Sequence, residues 1–226
     1  LMRSSAASDV YKRQEQDPIR GVFAYVADGL LQPGEEAPAH QPQLLPGQVK
    51  LKNINGDDKL NVEDMVLIGR NDPKFIFGFN NNFSYKNFDL NIYMYGQVGK
   101  IAGANSYYDA WGSYGNRIKL GQNVPVSFKD AWSSDNQTST RPSFIESAYG
   151  TGDLFLQKIS FLRIRNITLG YTVPISKSIC NRLRVYADVN NPCVWTNWKG
   201  QDPETDSNTN AYPNVTSFSI GVDISF

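Results

Sequence analysis

The sequence predicts an all-β fold, and within that class an antiparallel transmembrane β-barrel segment of about six strands. Three observations carry this. Five segments alternate apolar and polar residues with period two. Each runs to about ten residues, the length a tilted strand needs to cross a bilayer. The connections between them alternate, short then long, as turns and outer loops do in bacterial outer-membrane barrels.

The first segment places Phe75, Phe77, Phe79, Asn81, Phe83 and Tyr85 on one face and Ile76, Gly78, Asn80, Asn82 and Ser84 on the other. Only Lys86-Asn87 separates it from the second, where Phe88, Leu90, Ile92, Met94, Gly96 and Val98 oppose Asp89, Asn91, Tyr93, Tyr95 and Gln97. A very long connection follows. The third sets Ile167, Leu169, Tyr171 and Val173 against Asn166, Thr168, Gly170 and Thr172. After a short link, Leu183, Val185, Ala187 and Val189 oppose Arg184, Tyr186, Asp188 and Asn190. Beyond another long link, Phe218, Ile220, Val222, Ile224 and Phe226 oppose Ser217, Ser219, Gly221, Asp223 and Ser225. Val22 to Leu31 is a sixth, weaker segment. Leu162 and Ile164 are out of phase with Ile167 and Leu169, which a β-bulge accounts for.

Two readings of these faces are open. A soluble β-sandwich would turn the apolar faces inward onto a second sheet. A membrane barrel would turn them to lipid and the polar faces to a wet lumen. Asn, Asp, Arg and Gln on the polar faces favour the barrel. So do aromatic residues near the segment ends: Tyr85 and Phe88, Tyr171, Trp195 and Trp198. Phe226, closing an alternating strand, resembles a C-terminal outer-membrane signal.

Composition narrows the function. The 22 Lys and Arg balance the 22 Asp and Glu, which argues against a nucleic-acid partner. A single His40 with Cys180 and Cys193 argues against a His/Cys zinc site or a His-based triad. No nucleophile–base pair stands out, so no enzyme and no catalytic residue is expected. No apolar run approaches the ~18 residues of a spanning helix. Residues 1–14 carry no apolar signal core and are read as a non-native, adapter-like segment, leaving 15–226 as the protein proper. Cys180 and Cys193 are expected at opposite ends of one strand, too far apart to form a disulfide.

One loop carries metal-ligand spacing. Asn53, Asn55, Asp57, Lys59 and Asp64 occupy positions 1, 3, 5, 7 and 12 of a calcium loop. Asn at position 1 and Asp58 at the usual glycine depart from that pattern. An Asn/Asp-rich turn that holds itself by side-chain bonds explains the same residues. Tyr107, Tyr108, Trp111, Tyr114 and Trp132 crowd the longest connection, as glycan- or partner-facing aromatics or as loop packing. Arg163, Arg165 and Arg184 line the lumen or sit as solvated strand ends. Asp202, Glu204 and Asp206 read as a solvated loop, and His40 as a solvated side chain.

Pro46 to Gln97 (PGQVKLKNINGDDKLNVEDMVLIGRNDPKFIFGFNNNFSYKNFDLNIYMYGQ), FLRIRNITLGYTVP, VYADVNNPCVWTNWKGQDPE and the closing FSIGVDISF resemble, in order, the C-terminal part of SusC/RagA-type TonB-linked outer-membrane receptors. The resemblance covers Gly21 to Phe226. It implies that the chain is about six C-terminal strands of a 22-stranded barrel with a plugged lumen. It implies a bacterial outer-membrane location and import of oligosaccharides or other oligomeric nutrients, glycan or peptide. It also implies a SusD-like surface lipoprotein partner and a TonB complex reached through an N-terminal region that the chain lacks. Six strands cannot close a barrel, so a sheet with two open edges is expected. The alternative reading is a soluble calcium-dependent β-sandwich, a dockerin-like binding module.

Overall fold

In a computed structural model, residues 21–103, 121, 123, 126–144, 150–175, 180–200, 202–205 and 211–226 are described. The described residues are all-β apart from two short 3-10 turns, Val62–Asp64 and Val126–Asp130. The chain divides into two compact units.

Among the described residues, the first unit gathers those of 21–72 and of 101–157. It holds β1 (Gly21–Ala24), β2 (Ala27–Leu30), β3 (Val49–Leu51) and β4 (Val66–Arg70). β1 pairs antiparallel with β4, and β2 with β3. The weaker sixth segment is therefore two short strands of this unit, outside the long sheet. Leu30, Val49, Leu51 and Trp132 form its core, with Tyr25, Ala27 and Leu60 packed against them. Gly47 lets Trp132 lie flat: a Cβ there would come 2.2 Å from the indole ring, and its φ of +83° suits glycine. Gln41 is fully buried, and its Oε1 accepts the Leu51 amide at 2.8 Å. His40 is half-buried and its Nε2 lies 2.8 Å from the Leu51 carbonyl, which corrects its reading as a solvated side chain.

The second unit gathers Pro73–Lys100, Lys158–Thr205 and Asn210–Phe226. Its sheet runs in the order β5 (Phe75–Tyr85), β6 (Phe88–Gly103), β7 (Leu156–Val173), β8 (Arg182–Thr196), β9 (Ser217–Ser225). The five alternating segments are these five strands, in chain order. β5 and β9 are its edges. Strands β6 to β8 run to 16, 18 and 15 residues, so they extend past the length that crosses a bilayer. The connections after β5 and β7 are short and meet one end of the sheet. Those after β6 and β8 are long and meet the other. Lys86, at φ +53°, makes the tight turn between Tyr85 and Phe88, which pair directly.

Register sets the faces, because directly paired residues point the same way. Phe79 pairs with Met94, Phe83 with Leu90, Leu169 with Ala187, Val185 with Val222 and Val189 with Phe218. Phe88 stacks on Tyr171 with ring centroids 4.7 Å apart, joining the β6 and β7 rows into one apolar face. That face is uncovered: Phe75, Phe79, Phe83, Leu169, Phe218 and Ile220 are all exposed, Ile220 by 83%. A sandwich would have buried these residues against a second sheet.

The anticipated phase break is present. Register shifts between Ile164 and Asn166, where Arg165 opposes Asn191 and Pro192. Pro192 cannot donate to a ladder and Asn191 takes φ +48°, both of which suit a bulge. Arg165 lies over the Tyr95 ring at 5.8 Å and Phe161 packs on the same ring. Tyr95 belongs to the polar face, so Phe161 and Arg165 lie on that side. Cys180 and Cys193 are free thiols at opposite ends of β8.

Replacing Gly47 with Ala is expected to cost about 1–3 kcal/mol from overpacking, on top of backbone strain. Gly34→Ala, at the same φ with no atom within 4 Å, carries the strain alone. Urea unfolding of the two variants in detergent micelles should place Gly47→Ala clearly lower.

Candidate functional site

The polar face of the second unit carries the densest side-chain bonding. Arg184 on β8 donates from Nε and Nη2 to both carboxylate oxygens of Asp89 on β6, at 2.9 and 2.6 Å. Its Nη1 reaches Asp223 on β9 at 3.0 Å. β7 lies between β6 and β8, and the pair crosses it at Gly170. A Cβ there would stand 2.5 Å from Arg184 Nη2 and from Asp89 Oδ1. One guanidinium thus ties β6, β8 and β9 across the polar face, with bidentate geometry at Asp89 that Lys could not supply. Gly221 makes the same allowance for Tyr186, whose ring lies 5.1 Å from the Arg184 guanidinium.

Further along the face, Thr168 Oγ1 donates to Asp188 Oδ1 at 2.8 Å and Asn190 Nδ2 to Asp188 Oδ2 at 2.7 Å. Asn166 donates to both Asp188 and Asn190. Asn91 bridges Asn80 and Asn82. These groups satisfy one another yet stay half-exposed, which suits a wetted surface and not a dry core.

At the long-loop end lies a buried charge cluster. Arg163 and Asp202 are each 3% exposed. Arg163 Nη2 donates to Asp202 Oδ1 at 2.8 Å and Oδ2 at 2.9 Å, and its Nε lies 3.0 Å from Glu204 Oε2. Arg165 Nη2 donates to Glu204 Oε1 at 2.7 Å. Asp202 also accepts the amides of Glu204 and Asn214, both at 2.9 Å. Burial pushes the Asp202 carboxyl up, but those amides and the Arg163 charge hold it below its ordinary value. Asp202 and Glu204 are therefore not a solvated loop, because each carboxylate is matched to an arginine from β7. Asp206 lies outside the described residues. The signal for this pairing was the phase break at Arg163 and Arg165, which sequence spacing could not connect to carboxylates 39 residues on.

The calcium-like loop closes on Asp64. Its carboxylate is buried and accepts the amides of Ile54 at 2.8 Å, Asn55 at 3.3 Å and Asn61 at 2.9 Å. Burial pushes this group up as well, yet the three N–H donors keep it below the usual carboxylate range. Asn53 Oδ1 accepts the Gly56 amide, Asn55 Oδ1 the Asp57 amide and Asp57 Oδ1 the Lys59 amide, at 2.7 to 2.9 Å. Gly56, at φ +77°, makes the sharp turn two positions before Asp58. Among the described residues no group of three His, Cys, Asp or Glu side chains is placed to hold a metal.

Of the loop aromatics, Trp132 is in the core of the first unit, not on a ligand-facing surface. Tyr107, Tyr108, Trp111 and Tyr114 lie outside the described residues. Trp195 is exposed, whereas Trp198 is buried over Gly200. Phe226 is exposed one residue beyond β9. Among the described residues no helix is long and apolar enough to cross a membrane, which says nothing of strands.

An antiparallel sheet with one apolar and one hydrogen-bonded polar face defines the class: a section of a β-barrel wall. Solved structures agree on the fold. The chain superposes on the structure of the RagAB peptide transporter with a TM-score of 0.69 and 22% identity, over 91% of its own length and 23% of that chain. It matches the RagAB peptide importer in the "open-open" state with a TM-score of 0.66.

In sequence the chain is similar to TonB-dependent receptors, SusC among them. It is 27% identical to TonB-dependent receptor P3 of Formosa agariphila, over all of this chain and 24% of that protein. It is 28% identical to TonB-dependent receptor P26 of the same organism, over 82% of this chain and 20% of that protein. It is 27% identical to the TonB-dependent receptor SusC of Bacteroides thetaiotaomicron, over 76% of this chain and 17% of that protein. No protein-family model matches. The chain spans at most about a quarter of the length of these relatives.

Asp64→Ala removes the acceptor for three amides and should destabilise the 53–64 loop by about 1–3 kcal/mol. Hydrogen exchange at Ile54, Asn55 and Asn61 should quicken by tenfold or more on the order of that energy. Because the folded carboxyl sits below its unfolded value, its contribution is present above pH ~4 and lost as pH falls through the folded value.

Proposed function

We propose that the chain is the C-terminal barrel portion of a TonB-dependent transporter in a bacterial outer membrane. Its cargo is an oligomeric nutrient, oligosaccharide or peptide. A SusD-like surface lipoprotein works at its mouth, and the TonB complex engages it through the N-terminal region. SusC and the RagAB peptide transporter among the chain's likenesses support this reading.

The observation that carries it is the uncovered apolar face. An exposed apolar surface this continuous marks contact with lipid or a partner. Its rows lie on strands long enough to span a bilayer, and the reverse side is bonded and polar, as a wet lumen requires. The sheet's interior strands β6, β7 and β8 are each paired on both sides, and the edges β5 and β9 need further strands for the same.

The test compares adjacent residues on opposite faces. In the full-length receptor, Leu90→Arg should lose about 2–4 kcal/mol of folding free energy in bilayers, and Asn91→Arg far less. Equal losses at the two sites, measured by urea unfolding in lipid vesicles, would contradict the lipid-facing assignment.

A further inference from the structure

We infer that Arg163 and Arg165, with Asp202 and Glu204, form an ionic clasp that straps both legs of the β8–β9 connection across the polar face of the sheet. One leg is Asp202–Thr205 and the other Ala211–Thr216. The clasp holds the first through Asp202 and Glu204 themselves. It holds the second through Asn214, whose amide and side chain bond to Asp202 and whose side chain also reaches Glu204. A second tie sits at the bulge. Asn191 accepts from Arg165 Nη1 at 3.4 Å, donates to the Val215 carbonyl at 3.2 Å, and its own carbonyl accepts from Thr216 Oγ1 at 2.9 Å.

Three features separate a clasp from ordinary loop packing. The first is cost. Burying a guanidinium and a carboxylate gains little net stability against apolar residues of similar size, so a buried pair is better explained by the conformation it dictates. The second is placement. Arg165 lies over Tyr95, a residue of the polar face, so the carboxylates that meet the arginines are on that side. The third is the bulge. Its extra residue on β8 puts Asn191 opposite Arg165, where it bonds both the arginine and the second leg. The inference rests on the proposed transporter for its consequence: there the polar face is the wet one, and the strap lies beside the path of an incoming solute.

The test is hydrogen exchange on the full-length receptor in detergent micelles. Arg163→Met removes the charge from β7 and leaves the loop sequence untouched. A clasp predicts that the Glu204 and Asn214 amides exchange at least tenfold faster, while amides of the β8–β9 ladder such as Val185 and Val222 keep their protection. Exchange at 204 and 214 unchanged within twofold, with the ladder intact, would overturn it, since the loop would then hold itself. Should Arg163→Met lose its heat-resistant migration on electrophoresis and so fail to fold, Glu204→Gln asks the same question from the loop side with the same two outcomes. A failure of the transporter reading would show instead at Leu90 and Asn91, which the clasp does not touch.

Discussion

A sheet with bare phenylalanine, leucine and isoleucine on one side and bonded Asp, Asn and Arg on the other is stable only where two media meet it. Everything else in the second unit follows from that constraint. The rows stay in phase over five strands because a single slip would send aromatics into the wet side and charges into the apolar one. A register break falls at Arg165 and Asn191, near the long-loop end. There the arginines of β7 meet the strap carboxylates.

The polar side is organised by a few cross-strand ties. Arg184 reaches over Gly170 to Asp89 and across to Asp223, so the absence of one side chain on β7 allows β6, β8 and β9 to be joined electrostatically. The tie is partly hydrated, and its worth is correspondingly modest. The Arg163–Asp202 pair is buried by contrast. One network braces the wall along its length, and the other fixes what hangs from its end.

Much of this was legible in the sequence, because alternation is a direct image of a strand with two unlike faces. Phe75 to Tyr85 and Ser217 to Ser225 were readable to within a residue, and the Lys86-Asn87 turn with them. Strands of three to five residues, such as Val49–Leu51 and Val66–Arg70, are too short for a period to register, so the first unit was invisible except as the weak segment at Val22 to Leu31. The burial of Trp132 and the bonding of His40 depend on contacts between residues far apart in the chain. So does the conversion of Asp202 and Glu204 from apparent solvated acids to clasp members. At Asn53–Asp64 the spacing was legible but the bonding was not: the oxygens of Asn53, Asn55 and Asp57 accept the loop's own amides.

The most direct measurement places nitroxide labels one at a time along Phe218 to Asp223 of the full-length protein in outer-membrane vesicles and records their accessibility to oxygen and to a water-soluble nickel chelate. The account predicts a two-residue oscillation, with oxygen favoured at 218, 220 and 222 and the chelate at 219, 221 and 223. A flat profile, or chelate access at the even positions, would contradict it.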